Sequence, residues 1–561
     1  MAPNKVETIL TTPFDGQKPG TSGLRKPVGV FQQPHYSENF IQASLLAGLG
    51  VKLNGSSLAV GGDGRFFCRE AVHLVIKMAA ANGVSKIVLG QNGILSTPAC
   101  SHIIRKWELN GGFILTAGHN PGGSKGDFGI KFNIENGGPA PECITDKIYE
   151  LTTTLTEYKI VPKLKVDITK VGTSTFKVAG REFTVEVIEI TADYLQLMRE
   201  IYDFDAIRSF LKGQRVILNG MNGVTGPYLQ RIFVEEMGVP SESCINCEPL
   251  PDFGGRKPDP NLTYASDLVA VMKKGDHDFA AAFNGDGNRY MILGHRGFYV
   301  NPCDSLAVLA SKLEYIPYFK QRGVKGFARS MPTSEALDRV ALHLGKECYQ
   351  TPTGWKFFGN LMDSGKINLC GEESFGLGSD HIRENDGIWA VLAWLSVMAC
   401  TQKSVAQILM EHWLVHGRNF FTRYDYENVS VEAADKMVEG LTKLIEDPKT
   451  KGMTFSDPTG RSYKMSYLDN FEYEDPTDHS TSKNQGIRFL FEDGSRIIYR
   501  LSGTVSSGAT IHIYVEGYER NENAQFYKQD PQEVLKPLVT IALRTSKLKE
   551  LTGRDVPTVI T

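Results

Sequence analysis

The order of apolar and polar residues predicts alternating strands and helices in the first part of the chain. Apolar runs at 58–60, 86–90 and 113–115 are separated by helical periods at 70–82 and 100–109. Strands that alternate with helices in this way favour a largely parallel sheet covered by helices. Glycine-rich turns follow the strands, and open α/β sheets bind ligands at that edge. This region is therefore predicted to be an α/β unit with a ligand site at its strand ends.

The same alternation recurs twice with little sequence identity. An apolar run at 216–218 is followed by a helical period at 228–237 and by a second apolar run at 279–283. Farther along, a strand pattern at 326–329 precedes a helical period at 334–344. We predict three related α/β units from this recurrence.

The last part of the chain has a different pattern. Strand patterns at 497–501 and 510–515 precede a closing helical period at 533–548. They predict a smaller α+β domain that begins near residue 419 and is joined through 418–424. The predicted fold class is α/β, with three related mixed α/β domains plus a C-terminal α+β domain. The predicted domains cover residues 1–190, 191–303, 304–418 and 419–561.

Length and composition narrow the class of protein. A chain of 561 residues exceeds one ordinary core, so three or four domains are expected. With 41% hydrophobic residues and a formal net charge of -3, it lacks the basic character typical of nucleic-acid-binding proteins. No run reaches the roughly 18 to 20 apolar residues of a membrane span, and nine cysteines indicate reduced thiols rather than a disulfide framework. We predict a cytoplasmic protein without membrane insertion.

A glycine-rich loop follows the apolar run at 113–115. From position 115 to 133 the chain reads Leu-Thr-Ala-Gly-His-Asn-Pro-Gly-Gly-Ser-Lys-Gly-Asp-Phe-Gly-Ile-Lys-Phe-Asn, with Gly118 as its fourth residue. Taken alone, such a loop is equally well explained as a turn that needs positive φ angles.

Three further loops combine glycine with polar side chains. The loop at 284–289 reads Asn-Gly-Asp-Gly-Asn-Arg, and taken alone it is more typical of a surface turn than of a metal site. The loop at 370–376 reads Cys-Gly-Glu-Glu-Ser-Phe-Gly, whose glutamates taken alone would be solvated charges. The segment at 500–508 reads Arg-Leu-Ser-Gly-Thr-Val-Ser-Ser-Gly. Its hydroxyls, glycine amides and guanidinium suit a phosphate, although such a cluster is a plain turn in most proteins.

These four loops and nearly the whole chain resemble the α-D-phosphohexomutases, specifically the eukaryotic phosphoglucomutases. The resemblance implies four domains around a central cleft, with one loop from each domain facing the cleft. It implies an isomerase of carbohydrate and glucose metabolism that interconverts glucose 1-phosphate and glucose 6-phosphate. It also implies Mg²⁺ as a cofactor and glucose 1,6-bisphosphate as an activator.

The resemblance assigns the loop around Gly118 to the nucleophile. The family carries its phosphoryl group on a serine at this position, and His119 and Lys131 match residues that assist charge handling. Glycine cannot be phosphorylated. Thr116 and Ser124 provide hydroxyls nearby, but their use would require the loop to be rebuilt, because a displacement of about 1 Å costs on the order of a hundred-fold in rate.

The resemblance assigns the loop at 284–289 to the metal. The family binds magnesium there with three aspartates and a phosphoserine oxygen, whereas this chain has Asn284, Asp286 and Asn288. An amide oxygen still ligates a hard cation, but two negative charges are missing. We therefore predict weak or absent magnesium binding.

The remaining matches concern the sugar phosphate. Glu372 and Ser374 match the family's sugar-hydroxyl contacts, and Trp355 is a candidate to cover an apolar sugar face. Asn385 replaces a lysine that is a candidate proton carrier, and asparagine has no such proton to give. The other residues expected to bind substrate are Arg25, Arg289, Thr353, Gly354, Arg500, Ser502, Thr504 and His512.

Two departures from the family pattern weaken the predicted phosphate loop. His512 replaces a family arginine and Val505 replaces a family glycine, so a bidentate donor and backbone freedom are both reduced. The phosphate site is expected to be weakened but not abolished.

Two functions follow from these substitutions. The leading hypothesis is a pseudoenzyme that has lost or nearly lost mutase turnover and binds glucose phosphates weakly. It would serve as a binding, sensing or scaffold protein with a protein partner. The alternative is an active phosphoglucomutase that uses another phosphate acceptor or bound glucose 1,6-bisphosphate.

Overall fold

The computed structural model describes residues 4–504 and 508–561, although the side chain of Thr504 is outside the description. Strands and helices alternate through the first unit, as the hydrophobic pattern predicts. Its elements are β1 Glu7–Leu10, β2 Leu24–Pro27, α1 Val28–Phe31, α2 Tyr36–Leu49, β3 Ser57–Gly62, α3 Cys68–Ala81, β4 Lys86–Ile94, α4 Thr97–Lys106, β5 Gly111–Leu115, β6 Asp127–Ile134, α5 Glu142–Thr154, β7 Glu157–Ile160, β8 Gly172–Val178 and β9 Arg181–Ile188.

Two further units repeat this plan. The second contains α6 Ala192–Ile201, α7 Phe204–Leu211, β10 Val216–Asn219, α8 Thr225–Leu229, β11 Cys244–Ile245, α9 Ser266–Lys273, β12 Phe279–Phe283, β13 Tyr290–Gly294 and β14 Phe298–Tyr299. The third contains α10 Pro302–Ala310, α11 Pro317–Arg322, β15 Gly326–Ser330, α12 Ala336–Leu344, β16 Glu347–Thr351, α13 Trp355–Asp363, β17 Leu369–Glu372, β18 Gly376–Ser379, α14 Gly387–Thr401 and α15 Val405–His416.

The fourth unit is mostly antiparallel. It contains β19 Arg418–Val429, α16 Val431–Glu446, β20 Thr454–Ser456, β21 Ser462–Asn470, β22 Tyr473–Glu474, β23 Thr481–Ser482, β24 Ile487–Phe491, β25 Arg496–Thr504, β26 Gly508–Glu519, α17 Pro531–Thr545, α18 Leu548–Thr552 and β27 Val559–Ile560. Its sheet has the strand order β20-β21-β24-β25-β26-β19-β27.

The sheets of the first three units share one strand order. It reads β4-β3-β5-β6 in the first, β11-β10-β12-β13 in the second and β16-β15-β17-β18 in the third. In each, three parallel strands are followed by one antiparallel strand that a hairpin loop joins to its neighbour. This topology confirms the prediction of three related mixed α/β units and a different C-terminal one.

Three local predictions differ from the structure. The helical period at 228–237 begins earlier, as α8, and continues as a π-helix over Gln230–Glu236. The closing helical period is divided into α17 and α18, because Lys547 between them has a φ of 50°. The segment at 418–424 is the start of β19 rather than a connection, since it pairs with β26 over most of its length.

Helix α14 holds the first three units together. Its residues from Gly387 to Met398 are all buried, and it packs in a core shared with side chains of the first and second units. A helix that is apolar on all sides is stable only when neighbours surround it. The loops of these units therefore keep fixed relative positions.

Among the described residues, no single helix is long and apolar enough to cross a membrane. Helices α14 and α15 reach that length and composition only as a pair, and they are bent by 84° at the break between them.

Candidate active site

The hairpin loops of the first three units meet at one cavity of about 100 Å³. They occupy equivalent positions, after the parallel strands β5, β12 and β17. The residues proposed from the sequence that line this cavity are Arg25, Gly118, His119, Lys131, Asn284, Asp286, Asn288, Arg289, Thr353, Gly354, Trp355, Glu372, Ser374 and Asn385. Packing thus brings together candidates from three loops that are distant in sequence.

The phosphate-loop candidates do not line this cavity. Arg500, Ser502 and His512 lie in the sheet of the fourth unit, on β25 and β26, and are absent from the cavity wall. Val505 and the side chain of Thr504 lie outside the described residues. Arg500 is nevertheless close enough to Glu372 to influence the pKa of that carboxyl group.

Gly118 lies in a buried turn. Its φ of 59° is in the left-handed region that favours glycine. Its amide donates to Thr116 Oγ1 at 2.8 Å, and its carbonyl accepts from Arg65 at 2.9 Å. The Thr116 hydroxyl donates to Asp63 at 2.6 Å, and Ser124 is exposed. Both nearby hydroxyls are therefore poorly placed to replace a nucleophile at Gly118.

Cationic side chains surround this turn. A Cβ at Gly118 would lie 3.0 Å from Arg25 Nη2. Burial, aided by the nearby Arg289, lowers the pKa of Arg25 to about 10. His119 Nδ1 accepts from Arg289 at 2.8 Å, and burial followed by Arg289 holds the pKa of His119 well below its usual value. The guanidinium groups of Arg25 and Arg289 disfavour one another at this site, and an anion between them would stabilise both, so the site suits a phosphate.

The Asn284 side chain closes the predicted metal loop on itself. Its Oδ1 accepts from the amide of Arg289 at 2.9 Å, which turns its Nδ2 toward the other two side chains. This Nδ2 donates to Asp286 Oδ1 at 2.7 Å and to Asn288 Oδ1 at 2.8 Å. Asp286 Oδ2 accepts from Thr97 at 2.7 Å. An amide donor therefore lies where the two remaining oxygens converge.

These side chains do not fit a magnesium ion. A hard cation requires converging oxygens and is favoured by negative charge, whereas the loop has one carboxylate, and an N–H group occupies the point of convergence. In the part of the chain that the structure describes, no group of three His, Cys, Asp or Glu side chains is arranged to hold a metal.

Lys131 is paired in the wall of the cavity. Its ammonium contacts Glu384, which also accepts from Asn133 at 2.9 Å. Asn385 follows Glu384 and lines the same cavity. A Cβ at Gly376 would lie 2.6 Å from Asn385 Nδ2, so glycine at 376 makes room for this side chain.

The sugar loop keeps a buried carboxylate. Glu372 Oε1 accepts from the amide of Gly354 at 2.9 Å. Burial, followed by the neighbouring charge of Glu373, raises the pKa of Glu372 to about 7. Ser374 lies beside it on the cavity wall. A carboxylate that is costly to bury and faces a cavity is well suited to accept from a polar ligand.

Three polar atoms in this wall have no hydrogen-bond partner among the described residues. They are Arg25 Nε, Thr353 Oγ1 and Trp355 Nε1. Buried polar groups are nearly always paired in folded proteins, so a cluster of unpaired ones indicates a polar ligand or water. The unpaired N–H of Trp355 is available to a polar ligand, in addition to the apolar role predicted for its ring.

The structure adds residues that sequence reasoning did not propose. Thr21, Ser22 and Glu384 line the cavity, and Asp259 lies 4.0 Å from Arg289. Thr21 and Ser22 lie a few positions before Arg25, and Glu384 directly precedes Asn385. Their proximity in sequence to proposed site residues could have identified them as candidates. Asp259 had no such signal.

Known protein families match this chain along nearly its whole length. Family models of phosphoglucomutase/phosphomannomutase α/β/α domains I, II and III match residues 16–159, 192–297 and 302–415. A model of the C-terminal domain of phosphoglucomutase-1 matches residues 418–558.

Individual proteins are similar over the same length. Phosphoglucomutase-1 of Bos taurus is 57% identical over 564 residues, which cover 99% of this chain and 100% of that protein. Phosphoglucomutase-like protein 5 of Mus musculus is 49% identical over 568 residues, with complete coverage of both chains. The open form of the exocytosis-sensitive phosphoprotein pp63/parafusin, a phosphoglucomutase from Paramecium, superimposes with a TM-score of 0.88 at 45% identity, covering 99% of each chain.

Proposed function

Because the chain belongs to the phosphoglucomutase family, whose members act on glucose phosphates, we propose that it binds a glucose phosphate and has lost, or nearly lost, mutase turnover. The observation that carries this proposal is the contrast within one cavity. The position of the nucleophile is Gly118 and the metal loop is closed by Asn284, whereas the cations and Glu372 still face the cavity.

The binding part rests on charge and on unpaired polar groups. Arg25 and Arg289 would hold the phosphate, since both guanidinium groups lie beside the turn at Gly118. Glu372, Ser374 and Thr353 would accept from or donate to sugar hydroxyls across the same cavity. Hydrogen bonds to charged groups contribute about 1.5–3 kcal/mol each, so retention of these groups supports measurable binding.

The loss of turnover rests on three positions. Gly118 has no oxygen to carry a phosphoryl group, and removal of a covalent nucleophile costs on the order of a million-fold in other enzymes. Asn385 has no proton to transfer to the sugar. The amide of Asn284 does not fit a cation, so no catalytic step is assigned to magnesium here.

The cavity is too small to admit a hexose phosphate without a change in structure. Its volume of about 100 Å³ is below the roughly 300–1,000 Å³ of most small-molecule sites. Because α14 holds the first three units together, a hexose phosphate would enter only if the fourth unit moved away from them. The Lys257–Glu427 ion pair, 2.7 Å long, joins the second and fourth units and would have to adjust.

A protein with binding but without turnover would act in sensing or as a scaffold, with a protein partner. This role, the cytoplasmic location, the activation by glucose 1,6-bisphosphate and the division into domains at 190, 303 and 418 remain predictions. The alternative, an active mutase with another phosphate acceptor, also remains a prediction.

Two measurements test the proposal. Isothermal titration with glucose 6-phosphate should show binding that is the same with and without magnesium, and Glu372→Gln should weaken it about tenfold or more, as expected for a lost charged hydrogen bond. Glu439→Gln, in an exposed pair on α16, is the matched control and should bind normally. Absence of binding in both the wild type and this control would refute retained binding.

Turnover is measured by a coupled assay with glucose 1-phosphate, magnesium and glucose 1,6-bisphosphate. Bovine phosphoglucomutase-1 measured beside it provides the reference. Turnover within about a hundred-fold of that enzyme, which is the scale of a single catalytic group, would refute the loss of activity.

A further inference from the structure

Three side chains in the sheet of the fourth unit form a continuous line of hydrogen bonds. They are Ser502 on β25, His512 on β26 and Asp425 on β19. The register places His512 directly opposite Asp425 on one side and Arg500 on the other. Because side chains two residues apart on a strand share a face, Ser502 lies on the same face as Arg500. Neighbouring strands thus align all four groups.

The distances suit proton transfer from the serine. Ser502 Oγ lies 2.6 Å from His512 Nε2, and His512 Nδ1 lies 2.5 Å from Asp425 Oδ1. When Nδ1 carries the proton and donates it to Asp425, Nε2 is free to accept from the Ser502 hydroxyl. The order of hydroxyl, imidazole and carboxylate is that of serine hydrolases.

The exposure and charge of the three side chains suit these roles. Ser502 is exposed, whereas the exposed fraction of the side chain is 16% for His512 and 7% for Asp425. Asp425 Oδ2 is held by Arg423 at 2.8 Å. Although burial alone raises the pKa of Asp425, Arg423 and His512 lower it to about 2. The carboxylate is therefore anchored and ionised, and the hydroxyl is accessible.

We propose that Ser502 is a nucleophile for acyl transfer, with His512 as its base and Asp425 as a positioning residue, acting on esters that carry a negative charge. Arg500 lies next to Ser502 on the same face and supplies a cation for the charged group of the ester. This reaction is distinct from the proposed binding of glucose phosphates, although Arg500 also lies close to Glu372 of that cavity.

The reaction balances without another reactant. Ser502 Oγ forms a bond to the carbonyl carbon of the ester while its proton passes to His512 Nε2. The bond between that carbon and the alcohol oxygen then breaks, and the alcohol leaves with the proton from His512. Water attacks the acyl-serine in the same way, giving the free acid and restoring the hydroxyl.

Acyl transfer suits a single imidazole better than phosphoryl transfer does. In acyl transfer the attacking and leaving oxygens are bound to one tetrahedral carbon, so His512 can serve both in turn. In phosphoryl transfer the two oxygens lie roughly in line on opposite sides of phosphorus. A base beside the nucleophile then does not reach the leaving oxygen.

The first test is covalent labelling of the full chain with diisopropyl fluorophosphate. Attack by Ser502 forms an oxygen–phosphorus bond, releases fluoride and passes the proton to His512. Mass spectrometry should find one label, on Ser502, and His512→Gln should slow labelling at least a hundred-fold, on the scale of a lost general base. Ser462→Ala is the matched control, because Ser462 is an exposed strand serine of the same unit whose hydroxyl bonds to Ser456 and to the carbonyl of Gly460, and not to an imidazole.

The second test is hydrolysis of p-nitrophenyl succinate compared with uncharged p-nitrophenyl acetate. Ser502→Ala should abolish turnover of both, and Arg500→Gln should raise KM for the succinate ester alone. Asp425→Asn should lower kcat, and Asp425→Glu should restore part of it, which a purely structural role would not produce. Melting curves show whether each variant folds.

The proposal is overturned by labelling at serines other than Ser502, by labelling that persists in a folded His512→Gln variant, or by hydrolysis that Ser502→Ala leaves unchanged. It is also overturned if Ser502 takes up a phosphoryl group from acetyl phosphate while neither ester is hydrolysed.

Discussion

The hairpin loops after β12 and β17 occupy equivalent positions in two related sheets. They differ in whether their polar side chains bond within the loop or face the cavity. After β12, Asn284 is bonded to the loop backbone and to both polar neighbours, so the loop satisfies itself. After β17, Glu372 keeps a buried carboxylate with a pKa raised to about 7 and faces the cavity. The polar groups of the first loop are paired with one another, whereas the second loop keeps a buried carboxylate that a polar ligand would stabilise.

A loop can keep its shape while its polar side chains bond to one another instead of facing a ligand. Asparagine has nearly the size of aspartate, so the turn is kept, but it supplies its own donor where the family relies on a cation. Buried polar groups must be paired. When side chains meet that requirement internally, the loop stays folded, and we predict weak or absent affinity for the ion.

The largest expected effect is on mutase turnover. Gly118→Ser alone should stay within about tenfold of the wild type, because the metal loop remains deficient. Gly118→Ser combined with Asn284→Asp, Asn288→Asp and Asn385→Lys should raise turnover by on the order of a thousand-fold or more, since nucleophile, cation site and proton carrier act together. The coupled assay measures both, and full recovery by the single change would show that the metal loop is not limiting.

The free energy of unfolding should depend on pH through Glu372 in the loop after β17. The pKa of Glu372 is raised from 4.5 to about 7 in the folded chain, so between these values the folded state binds more protons and stability falls as pH rises. Each pKa unit corresponds to about 1.36 kcal/mol, so the loss is on the order of 3 kcal/mol. Glu372→Gln should remove this slope, and urea unfolding between pH 4.5 and 7.5 measures it.

A comparable pH slope in Glu372→Gln and in the wild type would mean that another group titrates. Glu439→Gln is the control and should keep the wild-type slope, because its side chain is exposed.

The loop after β12 should respond to magnesium once its charge is restored. Asn284→Asp combined with Asn288→Asp removes the bridging amide and places carboxylates side by side, which should cost about 1–3 kcal/mol of unfolding free energy without metal. Magnesium should recover stability in this variant by binding the folded state, and should leave the wild type unchanged. Melting curves with and without magnesium measure this effect. An equal increase of the melting temperature in the variant and the wild type would contradict the inference that the wild-type loop does not bind magnesium.

The smallest effect is the backbone cost at the nucleophile turn. Gly118→Ala should lower the unfolding free energy by about 1–2 kcal/mol, because a side chain disfavours the left-handed φ of 59°. Gly359→Ala is a control of opposite sign. Gly359 lies within α13 and an added Cβ meets nothing within 4 Å, so this change should stabilise by about 0.5–1 kcal/mol. A neutral Gly118→Ala would show that the turn is not strained.

Much of the architecture was predictable from the sequence. Strands at 58–60 and 279–283 and the helical period at 70–82 match β3, β12 and α3, because hydrophobic periodicity is a local property of the chain. The boundaries of α8 and the division between α17 and α18 were not predictable, since they depend on turns and packing that periodicity does not encode. The strand β19 was missed as a strand because its partner β26 lies about ninety positions away.

The chemical groups of the site can be read directly from the sequence: Gly118 without a side-chain oxygen, amides at 284 and 288, and both Glu372 and Ser374. Their hydrogen-bond partners depend on the folded structure. Lys131 meets Glu384, 253 residues away, and the amide of Asn284 turns inward because a backbone donor takes its oxygen. Strand register brings Ser502 to His512, and His512 to Asp425. The identity of each residue is fixed by its own position in the chain, but its hydrogen-bond partners depend on how segments distant in sequence pack together.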